Sequence, residues 1–256
     1  MAKTILKTEG LTKHYGGIHA LVDADFEIKE GEHIAIVGDN GAGKSTFVRQ
    51  ITGVEQRTGG RVWFDGKEVM FQGPLEARES GMECVFQNLA LADDLDVPAN
   101  LFLGREKLLV NLGPFSILDR RGMRKATEEG LKKTGVRIPR LDYAIRRMSG
   151  GQRQGVAIAR SATFASKLII MDEPTAALGV QETAQVENII RQLKSRGVPL
   201  VLISHNLRQV FDLADRIVVF RRGHIVANLR KEETDGNDIV AYITGVKTQN
   251  TASAMI

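Results

Sequence analysis

Short unbroken apolar runs alternate along this chain with segments whose apolar residues recur at helical spacing. His33-Ile34-Ala35-Ile36-Val37, Leu168-Ile169-Ile170-Met171 and Pro199 to Ile203 are strand-sized and apolar throughout, the pattern of strands buried on both faces. Ile5 to Glu9 and Leu21 to Ile28 instead alternate, with a turn at His14-Tyr15-Gly16-Gly17 between them. Arg61 to Phe64 and Val69 to Phe71 read as hairpin arms around Asp65-Gly66. Gly81 to Phe86 predicts another strand, ending at Gln87. From Asn88 to about Ala165 the chain is rich in helix formers and lacks strand alternation. Asp119 to Thr134 carries Met123, Ala126, Thr127, Gly130 and Leu131 at helical spacing, and Gly113-Pro114 and Ile138-Pro139 mark loops. Val180 to Arg196 predicts an amphipathic helix with Val186, Ile189, Ile190 and Leu193 on one face and Gly197 as its C-cap. Asn206 to Ala214 predicts a helix, and Ile217 to Phe220 with His224 to Ala227 a hairpin. Strands separated by helices imply a largely parallel sheet with its ligands at the strand carboxyl ends.

The 256 residues, 43% hydrophobic, suffice for one core with a subdomain. No apolar run approaches bilayer length, and Met1-Ala2-Lys3-Thr4 opens no signal-peptide apolar region. The single cysteine, Cys84, excludes an internal disulfide framework and fits a reducing cytoplasm; set among Met82, Val85 and Phe86, it reads as a buried, inert thiol. A net charge of +4 is compatible with nucleic acid or an anionic membrane surface. The arginine pairs Arg120-Arg121, Arg146-Arg147 and Arg221-Arg222 are scattered, however, and aromatics make up only 5% of the chain, so nucleic-acid binding is not inferred.

The chemistry starts at Gly38-Asp39-Asn40-Gly41-Ala42-Gly43-Lys44-Ser45-Thr46. This is a Walker A pattern in the context that it needs, after an apolar strand and before the helix-compatible run Thr46 to Ile51. Gly38, Gly41 and Gly43 let backbone N–H groups turn inward into an anion nest, and the following helix aims its positive end at the same place. Lys44 is suited to the β- and γ-phosphates, and the Ser45 hydroxyl to Mg²⁺.

Gly38, Gln87, Asp172 and His205 each follow directly after a predicted strand, which argues for one shared site. Asp172 stands where a Walker B carboxylate holds the nucleotide's Mg²⁺. Glu173 is placed to orient or deprotonate a water attacking the γ-phosphate. His205, as a donor to that phosphate, would distinguish triphosphate from diphosphate. Met148-Ser149-Gly150-Gly151-Gln152 then opens a helix and forms a second phosphate-binding device. One nucleotide seldom needs two such helix ends from one domain, so two chains each supplying one to a shared ATP is the economical reading.

In combination, the Walker A loop, Gln87, the Ser149-Gly150-Gly151-Gln152 element, Asp172-Glu173 and His205 resemble the nucleotide-binding subunit of ATP-binding cassette (ABC) transporters, over nearly the whole length from Leu6 to about Val246. The resemblance implies an α/β P-loop NTPase fold of the ABC ATPase type: a mixed-sheet core with an N-terminal antiparallel β part (4–87 and 166–246), a helical subdomain inserted at about 88–165, and a flexible tail at 247–256. It implies a head-to-tail dimer, with two ATPs between Walker A of one copy and Ser149-Gly150-Gly151-Gln152 of the other. It further implies adenine stacking on Tyr15, Gln87 contacting Mg²⁺ and coupling to the membrane partner, Glu173 as catalytic base and His205 as switch.

Lys13 to Leu21, Gly38-Asp39-Asn40-Gly41, Phe102-Leu103-Gly104-Arg105-Glu106 and Pro174-Thr175-Ala176-Ala177-Leu178-Gly179-Val180 resemble the monosaccharide importer ATPases. Many of those carry two cassettes in one chain; this one, with a single cassette, resembles the shorter fructose-type members. That subgroup implies permease subunits in the membrane, an external sugar-binding protein, and a peripheral position on the cytoplasmic face of the inner membrane. Two residues depart from the wider family. Met148 replaces the usual leucine before the Ser-Gly-Gly turn, a volume-conserving change. Gly179 stands where most cassettes have the D-loop aspartate, which the monosaccharide group often lacks too. Soluble ABC ATPases of DNA or ribosomes carry long coiled-coil insertions or paired cassettes, and neither is present. A non-hydrolysing cassette should lack Lys44 or Glu173, and both are in place.

Overall fold

The structure, a computed structural model, describes residues 2–176 and 178–248. Chain order runs β1 (Thr4–Tyr15), β2 (Ile18–Lys29), β3 (His33–Val37), α1 (Lys44–Ile51), β4 (Gly59–Phe64), β5 (Lys67–Glu68), α2 (Pro74–Glu79) and β6 (Met82–Val85). There follow α3 (Val97–Leu101), β7 (Leu108–Val110), β8 (Ile117–Leu118), α4 (Arg120–Thr134) and α5 (Gly150–Phe164). The rest is β9 (Leu168–Asp172), α6 (Val180–Ser195), β10 (Leu200–Ile203), α7 (Leu207–Leu213), β11 (Arg216–Arg221), β12 (His224–Arg230) and α8 (Gly236–Thr244). Among the described residues the chain divides into two compact units, one of 2–84, 165–173 and 194–248, the other of 85–164 and 174–193.

In the first unit the alternating segments pair as an antiparallel sheet in the order β2-β1-β4-β5. The apolar runs form a second sheet, ordered β12-β11-β3-β10-β9-β6. Its strands β11, β3, β10 and β9 are parallel, and β12 joins β11 as an antiparallel hairpin. All five residues of β3 are buried, because covering both faces of a parallel strand leaves no polar side. Helix α1 is held against the sheet by Phe47, which is fully buried between Phe26 and Phe220 at ring separations of 5.1 and 5.5 Å. Burying one such side chain stabilises the fold by about 2–3 kcal/mol. Ala35, Val37, Val210, Ile217, Val219, Ile239 and Tyr242 build a further core patch beneath α7 and α8.

The second unit packs α3, α4 and α5 around Val97, Leu101, Phe102, Met123, Leu131, Ile145, Met148 and Val156. Met148 is buried there. Two features differ from the sequence expectation. Leu108–Val110 and Ile117–Leu118 pair as a short hairpin inside a region expected to hold no strands; each is too short to show alternation. Residues 174–193, expected with the sheets, belong to the helical unit, where Glu182 lies against Gly151 and Gln192 against Gly135.

At the C-terminal end, α8 starts on an Asp235 cap and closes at Gly245. Of the expected tail, Lys247 is held: its N–H donates to Ala241 and its ammonium pairs with Asp238 at 3.0 Å. Residues 249–256 lie outside the described residues. Among the described residues, no helix is long and apolar enough to cross a membrane.

Candidate functional site

Strand register sets one edge of the parallel sheet. Ile36 of β3 lies opposite Ile203 of β10, and Ile203 lies opposite Asp172 of β9. The residues that follow, Gly38, Glu173 and His205, therefore leave the sheet at the same end, where a parallel sheet presents its ligand site.

The loop after β3 has a backbone that only glycine tolerates. Gly38, Gly41 and Gly43 have φ of 149°, 77° and 105°. A Cβ on Gly38 would sit 2.3 Å from the Phe220 carbonyl oxygen, and one on Gly43 2.8 Å from that of Ala20. Gly43 caps α1 without any side-chain acceptor, so the first N–H groups of the helix are presented to the loop interior. The loop is closed by Ala42 N–H donating to Asp39 and Gly223 N–H donating to Ala42. Lys44 is buried and folds back, its Nζ donating to the carbonyls of Gly38 at 2.7 Å and Asp39 at 2.9 Å. Burial lowers its pKa, opposed by the carboxylates of Glu173, Asp172 and Asp39. Asp39, Asn40, Gly41 and Ser45 are exposed on the same loop, and Thr46 is partly covered.

Opposite them stands a carboxylate pair. Burial and then the neighbouring Glu173 charge raise the pKa of Asp172, and Lys44 offsets part of that. Two adjacent half-buried carboxylates, with Lys44 and Arg49 offsetting part of their charge, form a donor set that favours a hard divalent ion. Among the described residues no three His, Cys, Asp or Glu side chains cluster as a metal site. An ion here would therefore draw ligands from Ser45, Asp172 and the phosphates of a bound nucleotide. Glu173 has φ of 50°, a left-handed conformation that costs a non-glycine residue about 1 kcal/mol, and its N–H donates to Ile203 at 3.0 Å. Its Oε1 lies 3.3 Å from Nδ1 of His205, whose side chain is 70% exposed.

The turn that holds His205 depends on residues the sequence reading passed over. Ser204 Oγ donates to Gln209 at 2.9 Å and accepts from Asn206 N–H, while Asn206 caps α7 by accepting from Gln209 N–H. The signal was present in Asn206 as an N-cap three residues before a polar residue at a core-facing position.

Tyr15 ends β1, half-exposed, with its hydroxyl on Glu55 and the Lys13 ammonium 5.1 Å from its ring centre. An aromatic face so presented can accept a flat heterocycle.

The second unit carries the other two sequence-predicted elements. Gln87 is exposed, just after β6. Ser149 and Gln152 form a reciprocal capping box at the start of α5: Gln152 N–H donates to Ser149 Oγ at 3.3 Å, and Ser149 N–H to Gln152 Oε1 at 3.0 Å. Ser149 is exposed and Gly151 buried. Glu182, near the start of α6, accepts from Gly179 N–H at 2.9 Å and from Gly151 N–H at 3.4 Å. Sequence reading missed Glu182, whose signal is an acid three residues after a helix start at Gly179.

The family model for the ABC transporter matches residues 21–176, a span that includes the Walker A loop, Gln87, the Ser149–Gln152 turn and Asp172-Glu173. The chain is 45% identical to the fructose import ATP-binding protein FrcA of Rhizobium meliloti, covering 95% of each. It is 40% identical to the xylose/arabinose import ATP-binding protein XylG of Sulfolobus acidocaldarius, covering 94% of each. A 35% match to the ribose import ATP-binding protein RbsA of Clostridium tetani spans 96% of this chain but 48% of that protein. Among solved structures, the ADP conformation of an ABC transporter's ATP-binding cassette superposes with a TM-score of 0.80 at 27% identity, over 95% of this chain and 99% of the other. A dimeric post-hydrolysis cassette bound to ADP and Pi gives 0.75 at 25% identity, over 89% and 99%. A nucleotide-shaped loop, a carboxylate pair and a histidine at one sheet edge, carried on a fold and sequence shared with these cassettes, leave one classification: this chain belongs to the ABC transporter family.

Proposed function

We propose that the chain binds and hydrolyses ATP as the motor subunit of an importer, powering uptake of a monosaccharide through partner permease subunits. The observation that carries this reading is the convergence of the Gly38–Thr46 loop, Asp172, Glu173 and His205 at one sheet edge. The monosaccharide part rests on the near end-to-end likeness to fructose and xylose/arabinose import ATP-binding proteins.

In this reading the loop N–H groups and Lys44 bind the phosphates, and Tyr15 stacks on adenine. Ser45 and Asp172 would hold Mg²⁺, which would supply neutralisation of charge on the transferred phosphoryl group, and the family resemblance assigns Gln87 to the same ion. Glu173 takes the proton of the attacking water, and His205, oriented by Glu173 and by its capped turn, donates to the γ-phosphate. Ser149, Gly150, Gly151 and Gln152 complete the site from a second copy, so that hydrolysis requires a head-to-tail dimer. The dimer sits against permease subunits at the cytoplasmic face of the membrane, and an external sugar-binding protein delivers the cargo.

Uptake of labelled pentoses and hexoses in a strain deleted for this chain, with and without its return, tests the proposal. Sugar uptake restored by the chain and abolished by Glu173→Gln is the expected result. Unaltered uptake of every sugar in the deletion strain would overturn the monosaccharide assignment. A chain that stays soluble whether or not its permease is expressed would overturn the transport role.

A further inference from the structure

One carboxylate serves two helix starts in the helical unit. Glu182 is the third residue of α6, and its Oε2 accepts from the N–H of Gly179 at the helix entrance, at 2.9 Å. Its Oε1 accepts, at 3.4 Å, from the N–H of Gly151, the second residue of α5. Both donors are among the unsatisfied N–H groups of a helix first turn, where a negative charge is favoured. Packing adds an independent sign of the same fit. A Cβ on Gly151 would lie 2.7 Å from Glu182 Cγ and 2.9 Å from its Cβ. Gly151 does not have a positive φ, so its backbone would accept alanine, and the Glu182 stem is what forbids it. Ser149 and Gln152 satisfy each other, and Glu182 ties this turn to the start of α6.

We propose that Glu182 is a positioning residue: it fixes the Ser149-Gly150-Gly151-Gln152 turn in register with the Gly179 loop, so that the turn is preformed when a second copy presents its nucleotide. This rests on the dimer reading above. Gly179 lacks a side chain to order its own loop, and Glu182 supplies that order from one helical turn away. Holding the donors in place before the nucleotide arrives lowers the ordering cost of assembly.

The test is a double-mutant cycle in the Glu173→Gln chain with ATP and Mg²⁺, reading dimerisation by sedimentation, single-chain ATP affinity by titration, and melting temperature. Glu182→Ala is expected to leave single-chain ATP affinity within about twofold and to weaken the dimer by about tenfold, the scale of one lost charged hydrogen bond. Glu182→Gln, which keeps an acceptor, should fall between. Gly151→Ala should weaken the dimer by about tenfold beside Glu182 and less in the Glu182→Ala chain, because the 2.7 Å contact with Cγ is then gone and only the 2.9 Å contact with Cβ remains to be relieved. Dimerisation unchanged in Glu182→Ala, a Gly151→Ala defect of equal size in both backgrounds, or a tighter dimer in Glu182→Gln would each overturn the proposal. If the Glu173→Gln parent itself forms no dimer with ATP, the dimer reading fails. The Glu182–Gly151 tie is then judged on the melting temperatures of the same four chains, where additivity overturns it and coupling supports it.

Discussion

Glu173 and His205 face each other across the ends of two adjacent parallel strands, with Oε1 and Nδ1 3.3 Å apart. The contact spends one histidine nitrogen on the carboxylate while the side chain stays largely exposed, the division of labour that a base and its oriented partner need. Glu173→Gln removes the proposed base while keeping shape and hydrogen bonding. Hydrolysis is expected to fall by about 10²-fold or more with ATP affinity retained. Phosphate release and ATP titration on the purified chain check this; turnover at the unaltered rate would move the base elsewhere. His205→Ala should lower turnover in the same assay with ATP affinity again held.

Lys44→Ala is expected to weaken ATP binding by about tenfold or more, since a point charge on the phosphates is lost. The loop itself suffers too, because Lys44 Nζ holds the Gly38 and Asp39 carbonyls. Lys44→Arg should not rescue fully, the planar guanidinium being a poor fit for two converging carbonyls. ATP titration of the three chains is the check, and equal affinities would contradict the loop assignment.

The loop glycines should rank by geometry. Gly38→Ala combines a left-handed backbone with a Cβ 2.3 Å from Phe220 O, and Gly43→Ala meets Ala20 O at 2.8 Å. Gly41 has positive φ but open space around it. Gly41→Ala is expected to cost about 1 kcal/mol from backbone strain alone, and the other two about 2–3 kcal/mol or more. Urea unfolding of the three variants measures this; a Gly41→Ala chain as unstable as Gly38→Ala would break the ranking.

What the sequence showed and what it hid divide by the range of the interaction. The buried strands β3, β9 and β10 were readable because apolar runs closed by glycine, acid or Ser-His carry their own boundaries. From those boundaries the positions of Gly38, Asp172, Glu173 and His205 followed. The β7–β8 hairpin was not readable, since two and three residues cannot display a period. Helix α8 was missed although Asp235 and Gly245 mark its ends, because its apolar face is short. Glu182 was missed for a different reason. Its meaning lies in Gly151, which is remote in sequence and becomes its neighbour only when α5 and α6 pack.

A buried histidine in β3 gives the fold a pH dependence separate from the site. His33 is 1% exposed, and its Nε2 pairs with the Val198 carbonyl at 2.9 Å. Burial brings its pKa from 6.5 down to about 4, and the Val198 carbonyl opposes the shift only in part. The folded chain thus keeps His33 neutral where the unfolded chain binds a proton, so stability is full above about pH 6.5 and falls as pH drops toward 4. Two to three pH units of difference correspond to on the order of 3 kcal/mol at the bottom of that window. Urea unfolding of the native chain between pH 7 and pH 4.5 should show this loss. His33→Gln, which keeps a donor for Val198 but cannot be protonated, should flatten it. If the variant's stability falls with pH as steeply as the native chain's, the acid sensitivity belongs to other groups, and the neutral state of His33 is not what the fold protects.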